Sequence, residues 1–430
     1  MATKDIIVDY IARVEGESGL KVKISGNKVK EVYLDLWEAP RFFESFLVGR
    51  RYDEVADITS RICGICSVSH QMTALYAIEN ALGVKISQQT RDLRKLLALS
   101  QLIMNLNVQI YFFSLPDYLG YQSVFGLAEN PQYLPHVQRA LRIKRIANDL
   151  TRLIGGRETH PMTAVVGGFT RLPDRLELKK VLDSFRRLKE DAWDTVRFVS
   201  TLSFPVLERQ SEHLALSSPH EYAINEGRIV STTGLDIEPE DFYKHITSCQ
   251  RLHTNALYYH FKKRGTYMVG SLPRININYQ HLSADARNAA EMAGVRFPNF
   301  NPFVSVLARA IESVHMVDEC IQIMQRLKLI PERSRIKAKA GEGCWITEAE
   351  RGVLYHAYKL DKYGYVKYAD IVTPTAQNAF NIEKDLLHYL PSIIQLSKEE
   401  MGLKCESLIR SYDPCFSCSV HFLKLEIETE

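Results

Sequence analysis

Two Cys-x-x-Cys pairs, one near each end of the chain, restrict what it can fold into more than any other feature of its sequence. The stretch "RICGICSVSH" at 61–70 carries Cys63, Cys66 and His70, and "DPCFSCSVH" at 413–421 carries Cys415, Cys418 and His421. With 348 residues between Cys66 and Cys415, a site using both pairs must draw the two ends together, and the rest of the chain must fold around that closure. Zinc ribbons space their pairs by tens of residues. An all-thiolate site drawn from such distant segments suits a soft or redox metal better than a small structural clip, with a four-cysteine zinc site as the open alternative. A disulfide-exchange site needs one pair, not two. The remaining cysteines, Cys249, Cys320, Cys344 and Cys405, are scattered, and eight in 430 residues are too dilute for a disulfide framework.

Each pair carries a local expectation. If 61–70 is helical, Cys63, Cys66 and His70 share one face, because steps of three and four stack side chains. Asp413 followed by Pro414 reads as a helix cap and first helical residue, which would aim Cys415 and Cys418 off a helix N-terminus whose positive end favours thiolates.

The rest of the sequence reads as an ordinary globular chain, with 46% apolar and 24% charged residues. Its 54 basic and 51 acidic residues form no block of like charge, so no footprint for nucleic acid exists. The opening "MATKDIIVDYIARVEG" meets charges before any apolar run of signal-peptide length. Residues 96–116 are uncharged over 21 positions, long enough for a membrane span. Gln101, Asn105, Asn107 and Gln109 would each need a partner in hydrocarbon, so a buried core helix without membrane insertion is expected. Residues 5–36 alternate and turn at "SGNK" around Gly26 and Asn27, as in a hairpin or meander. Helical spacing runs from Val137 to Ile154 with a stop at Gly155 and Gly156, and again from Val181 to Val199. A third helix is expected after Asn301 as cap and Pro302 in the first turn, through Met324. With no repeat, low-complexity tract or linker, the pattern predicts one mainly α domain over 1–430, a long-helix bundle with small β elements at its edges. Glu312 and His315 in "IESVH" have the Glu-x-x-His spacing of di-iron bundles, but no second copy exists, so a polar stripe on a core helix is expected.

Between the cysteine motifs stand "RVEG" at 13–16, "APRFFE" at 39–44, "GRETHP" and "GG" within 156–168, "EAERG" at 348–352 and "DIVTPTAQN" at 370–378. In this order, over nearly the full length, the chain resembles the large, catalytic subunit of nickel-iron hydrogenases, and most of all its cytoplasmic, bidirectional group that includes the sulfhydrogenases. The resemblance implies that fold, and a Ni-Fe centre whose iron carries CN and CO ligands. Cys66 and Cys418 would bridge the two metals, with Cys63 and Cys415 terminal on nickel. H2 would be cleaved reversibly and heterolytically, the proton passing to a nearby base, most simply the Cys415 sulfur. Glu15 would be the proton relay and Arg351 the guanidinium above the metals, against the alternative of a surface ion pair with Glu348 or Glu350. His70 and Asp413 would line the cofactor, His70 as a hydrogen-bond donor to Cys418. Glu44, His421 and the Ala379 carbonyl would hold Mg2+.

The same resemblance implies partners: an iron-sulfur small subunit, flavin and NAD(P) electron-transfer subunits, and a maturation protease that removes 422–430 by cutting behind His421. Once the four ligands are assigned, this chain has no cysteine set for an iron-sulfur cluster, so its electrons need such a partner. Two departures stand out. Glu350 replaces the proline that many relatives carry before the arginine, and Asn105, Leu106 and Gln109 replace a histidine-bearing set. The fold also serves as a non-catalytic, quinone-binding subunit in which the metal cysteines are gone, whereas all four are present here.

Overall fold

In the computed structural model residues 3–26, 28–37, 42–332 and 335–420 are described, and the chain is about 50% helical with small sheets. It opens with an antiparallel meander, β1 (Thr3–Val8), β2 (Gly19–Ser25) and β3 (Lys28–Asp35). Along β2 the buried Leu20, Val22 and Ile24 alternate with exposed Lys21 and Lys23, the period-two pattern of a half-buried strand. Gly26 turns the chain at φ +59, as its place in "SGNK" predicts, and Asn27 lies outside the described residues.

Four long helices pack around one another. These are α2 (Gln88–Val108), α3 (Leu134–Gly155), α4 (Arg175–Val199) and α5 (Ser305–Arg326), preceded in the chain by the buried α1 (Ser67–Leu82). Helix α2 packs on α3 and α5, and α4 packs on the same two. Helix α3 ends at Gly156 in left-handed backbone, φ +80, a conformation that costs glycine nothing. Asn301 does cap, accepting from the Phe303 N–H, but Pro302–Val304 forms a 3-10 turn and the α-helix starts at Ser305.

The uncharged run runs through α2, a π-turn and a last helical turn, Gln88–Leu119. By length and composition it could cross a membrane, yet 78% of its apolar window is buried inside the protein. Each polar side chain predicted to need a partner has one. Gln101 Oε1 accepts from the Val68 N–H at 2.7 Å, and Asn105 Nδ2 donates to the Ile65 carbonyl at 2.9 Å. Asn107 donates to Ser313, and Gln109 to the Arg410 carbonyl at 2.8 Å.

One sheet does not sit at an edge. Strands β4 (Gly341–Ala349), β5 (Gly352–Leu360) and β6 (Val366–Val372) form an antiparallel sheet laid against α1. The approach is close: a Cβ on Gly343 would stand 2.3 Å from the Ala81 nitrogen and 2.5 Å from the Ala77 carbonyl oxygen. Helix α6 (Pro374–Ile393) then packs on β3, and α7 (Lys398–Ser411) on β1. The last described segment thereby arrives beside the first, and one hydrophobic cluster runs from Ile6 to Val420.

Candidate metal centre

The N-terminal pair straddles a helix start. Cys66 is the residue that precedes the first turn of α1, and Cys63 lies in the turn before it, so the two cysteines and His70 do not share a helical face as expected. The carbonyl of Ile65, inside the motif and just before the helix, accepts from the Asn105 side chain on α2. The C-terminal pair corrects the second expectation. Asp413 sits in left-handed backbone, φ +53, and caps nothing; among the described residues the only helix after it is the single turn Phe416–Ser419. Its carboxylate is drawn instead to Arg351. Residue 415 pairs in parallel with Glu15, and the Phe416 N–H donates to the Glu15 carbonyl at 2.8 Å.

Four sulfurs meet in a buried cluster, all within 4.8 Å of one another. Cys63 lies 3.6 Å from Cys415, Cys66 lies 3.7 Å from Cys418, and Cys415 lies 2.8 Å from Cys418. None is a disulfide, whose sulfurs stand ~2.05 Å apart. Sulfurs on one tetrahedral ion at ~2.3 Å would be about 3.8 Å apart, so the cross-pair distances fit a common metal. Burial pushes the Cys415 and Cys418 thiols up, while Cys63 is held well down by the three thiols gathered round its sulfur. A cation replacing those shared protons would relieve the cluster. Soft donors, full burial and cross-pair spacing together fit a thiolate-bound metal.

Polar groups surround the sulfurs on several sides. Cys415 Sγ donates to Glu15 Oε2 at 2.9 Å, and the Ser417 hydroxyl and N–H also donate to that carboxylate. Thr375 accepts from the Cys415 N–H at 2.9 Å. Arg351 is buried and no surface pair: its Nε donates to the Asp413 carbonyl at 3.1 Å and its fork meets the Asp413 carboxylate. Glu348 turns away, accepting from Leu216 and Arg274. Glu350 is wholly buried and accepts from Ser69 at 3.2 Å and Asn105 at 3.1 Å; burial pushes its carboxyl up to about 7. His70 Nε2 lies 3.9 Å from Cys418 Sγ, and burial pulls the ring down to about 4.

Several neighbours escaped the sequence reading. Ser417 lay inside the second motif. His356 follows Arg351 on β5 and is in contact with His70, and only tertiary structure brings Thr375 to Cys415. Leu106 is buried and brings no polar group. Of the expected magnesium ligands, Glu44 Oε1 accepts from the Ile371 N–H at 2.7 Å, Ala379 is buried in α6, and His421 lies outside the described residues, as does 422–430. Glu312 serves as partner to the buried Arg274 and Tyr222, and His315 accepts from the Ser283 N–H, as a polar stripe would.

A helical body closed at both ends onto four converging thiols is the architecture of a thiolate-bound metalloenzyme. Residues 41–132 and 251–421 match the nickel-dependent hydrogenase family. Subunit alpha of sulfhydrogenase 1 from Pyrococcus furiosus is 33% identical over 425 residues, 98% of each chain. Subunit beta of the NAD-reducing hydrogenase HoxS from Cupriavidus necator is 24% identical over 98% of this chain and 95% of that one. A solved NAD+-reducing [NiFe]-hydrogenase in the H2-reduced state superposes with a TM-score of 0.86 over 98% of this chain and 100% of that one, at 22% identity, a likeness of fold. The chain belongs to the nickel-dependent hydrogenase family, and its four cysteines form the cluster typical of that family's Ni-Fe site.

Proposed function

We propose that the chain is the large subunit of a cytoplasmic nickel-iron hydrogenase of the sulfhydrogenase or NAD(P)-linked type, folded as one domain, which cleaves and forms H2 reversibly. The observation that carries this reading is the carboxylate of Glu15 hydrogen-bonded at 2.9 Å to the sulfur of Cys415 inside a buried four-thiol cluster. A structural zinc clip has no use for a proton acceptor on one of its sulfurs.

Cys63 and Cys415 would hold nickel, with Cys66 and Cys418 shared between nickel and an iron carrying CN and CO. When bound, that pair supplies the redox-active, electrophilic centre that H2 cleavage requires. The residues do the rest. Cys415 Sγ takes the proton and passes it to Glu15, which Ser417 orients. Asp413 fixes the Arg351 fork, whose permanent charge would lie over the centre. His70 donates to Cys418 and makes its sulfur a weaker electron donor. Glu44 and His421, with the Ala379 carbonyl, would hold Mg2+ near the C-terminal segment.

Electrons leave through an iron-sulfur small subunit and, in the NAD(P)-linked type, flavin and nicotinamide subunits. A maturation protease would release 422–430 behind His421 once nickel is in place. Purified, mature protein should contain nickel and iron in equal amounts and show infrared bands of metal-bound CO and CN. Zinc alone, with no such bands, would refute the reading.

A further inference from the structure

Behind Cys418 a file of three buried side chains leads away from the centre. His70 Nε2 faces the Cys418 sulfur at 3.9 Å, His70 Nδ1 meets His356 Nε2 at 3.1 Å, and His356 Nδ1 meets the Tyr358 hydroxyl at 2.7 Å. His70, His356 and Tyr358 are at most 1% exposed. His356 and Tyr358 are two apart on β5 and so point to one face of the sheet that packs on α1.

We infer that Tyr358 is a positioning residue for the metal centre: through His356 it sets the ring tautomer of His70 so that the Nε2–H is aimed at the Cys418 sulfur. The inference rests on the reading of Cys418 as a metal-bound thiolate. Hydrogen counting carries it. A nitrogen-to-nitrogen contact of 3.1 Å holds one hydrogen, so one of the two rings must accept there. If the Tyr358 hydroxyl donates to His356 Nδ1, His356 donates from Nε2, His70 accepts at Nδ1, and the proton of His70 stands on Nε2, facing sulfur. In the reverse order the neutral His70 would turn a bare lone pair toward a thiolate. The phenolic hydrogen would also lose its acceptor, because His356 is the only hydrogen-bond partner of the Tyr358 hydroxyl among the described residues. Only the first order satisfies every group.

An N–H on a metal-bound sulfur withdraws electron density from the metals. The test is a series of four loaded proteins with 15N-labelled histidine: wild type, Tyr358→Phe, His356→Leu and His356→Gln. Wild type should show His70 protonated at Nε2 and bare at Nδ1. Tyr358→Phe should give mixed ring signals, with the CO and CN bands at lower frequency and a more negative midpoint potential, at unchanged nickel and iron content. His356→Leu should shift them further. His356→Gln, whose amide N–H can donate to His70 Nδ1 unaided, should bring them back toward wild type. Identical bands and potentials across the series, or a wild-type His70 protonated at Nδ1, would overturn the inference. Wild-type protein without nickel and iron would instead refute the hydrogenase reading, and the ring tautomer measured on that sample still decides this one.

Discussion

Glu15 and Glu350 are two carboxyls near the same sulfurs, and their surroundings divide the work between them. Glu15 is half-buried and takes a hydrogen bond straight from Cys415, the proposed proton acceptor, whereas Glu350 is wholly buried against Ser69 and Asn105. Glu15→Gln keeps the size and an accepting oxygen but cannot cycle a proton, so metal content should persist while H2/D2O exchange falls about 10²- to 10⁴-fold. Unchanged exchange would move the relay to another group, Glu350 first. Cys66→Ser or Cys418→Ser should lose the two-metal site, since each sulfur is asked to serve both metals; full nickel and turnover in either variant would mean the bridges are misassigned. Glu350 adds a pH dependence. Its carboxyl is raised to about 7 in the fold against ~4.3 unfolded, so its stabilising contribution is complete below pH ~4.3 and is lost as pH rises through 7. Urea unfolding of metal-free protein should therefore show wild type losing up to about 3 kcal/mol more than Glu350→Gln between pH 4.5 and 8. Parallel curves would show the carboxyl to be ionised across that range.

At the scale of elements, the join between α1 and β4 positions the N-terminal cysteines, and it depends on Gly343. An alanine there would drive a methyl into backbone atoms of Ala81 and Ala77 that no side-chain motion can clear. Gly343→Ala should cost about 1–3 kcal/mol by overpacking and lower nickel uptake with it. Stability and loading equal to the parent would show that helix and sheet can part cheaply. The same join marks what the sequence could and could not reveal. The meander was legible because β2 alternates, and the central helix because its amides needed partners. Strand β5, "GVLYHAYKL", is buried along most of its length, so it carries little alternation, and the sheet at the heart of the site could not be read from pattern. The four cysteines and Glu15 were legible through their motifs. The left-handed turn at Asp413 was not, because the guanidinium it faces lies 62 residues away in sequence. Around Cys63 the chain meets α2 through the Asn105 contact to the Ile65 carbonyl, another contact no local window contains.

For the whole molecule the question is what closes it, the metals or the protein. Arg410 on α7 donates to both oxygens of Asp117 at 2.7 and 2.9 Å and to the Ala12 carbonyl at 2.8 Å, while Arg13 reaches the same Asp117 and the Phe113 carbonyl. These groups tie the start of the chain, the end of the central helix and the last long helix together without any thiol. Arg410 is buried, while Arg13 and Asp117 are part-buried, so the charges are paired with restricted access to water, and breaking the network from one side strands the others. This frame joins the two ends independently of the thiols, so closure is expected without metal, with the cysteine segments hanging from the frame. Removing the metals should lower stability by the binding free energy linked to the folded state, yet the loss of amide protection should concentrate in 61–66 and 412–420. Hydrogen exchange on loaded and chelator-stripped protein measures this directly. Asp117→Asn should do the opposite: it weakens both arginine anchors, loosens β1 and α7 even with the metals present, and slows loading. If stripping the metals instead opens β1, α2 and α7 together, the thiolate cluster and not the arginine network is what holds the two ends of this chain in contact.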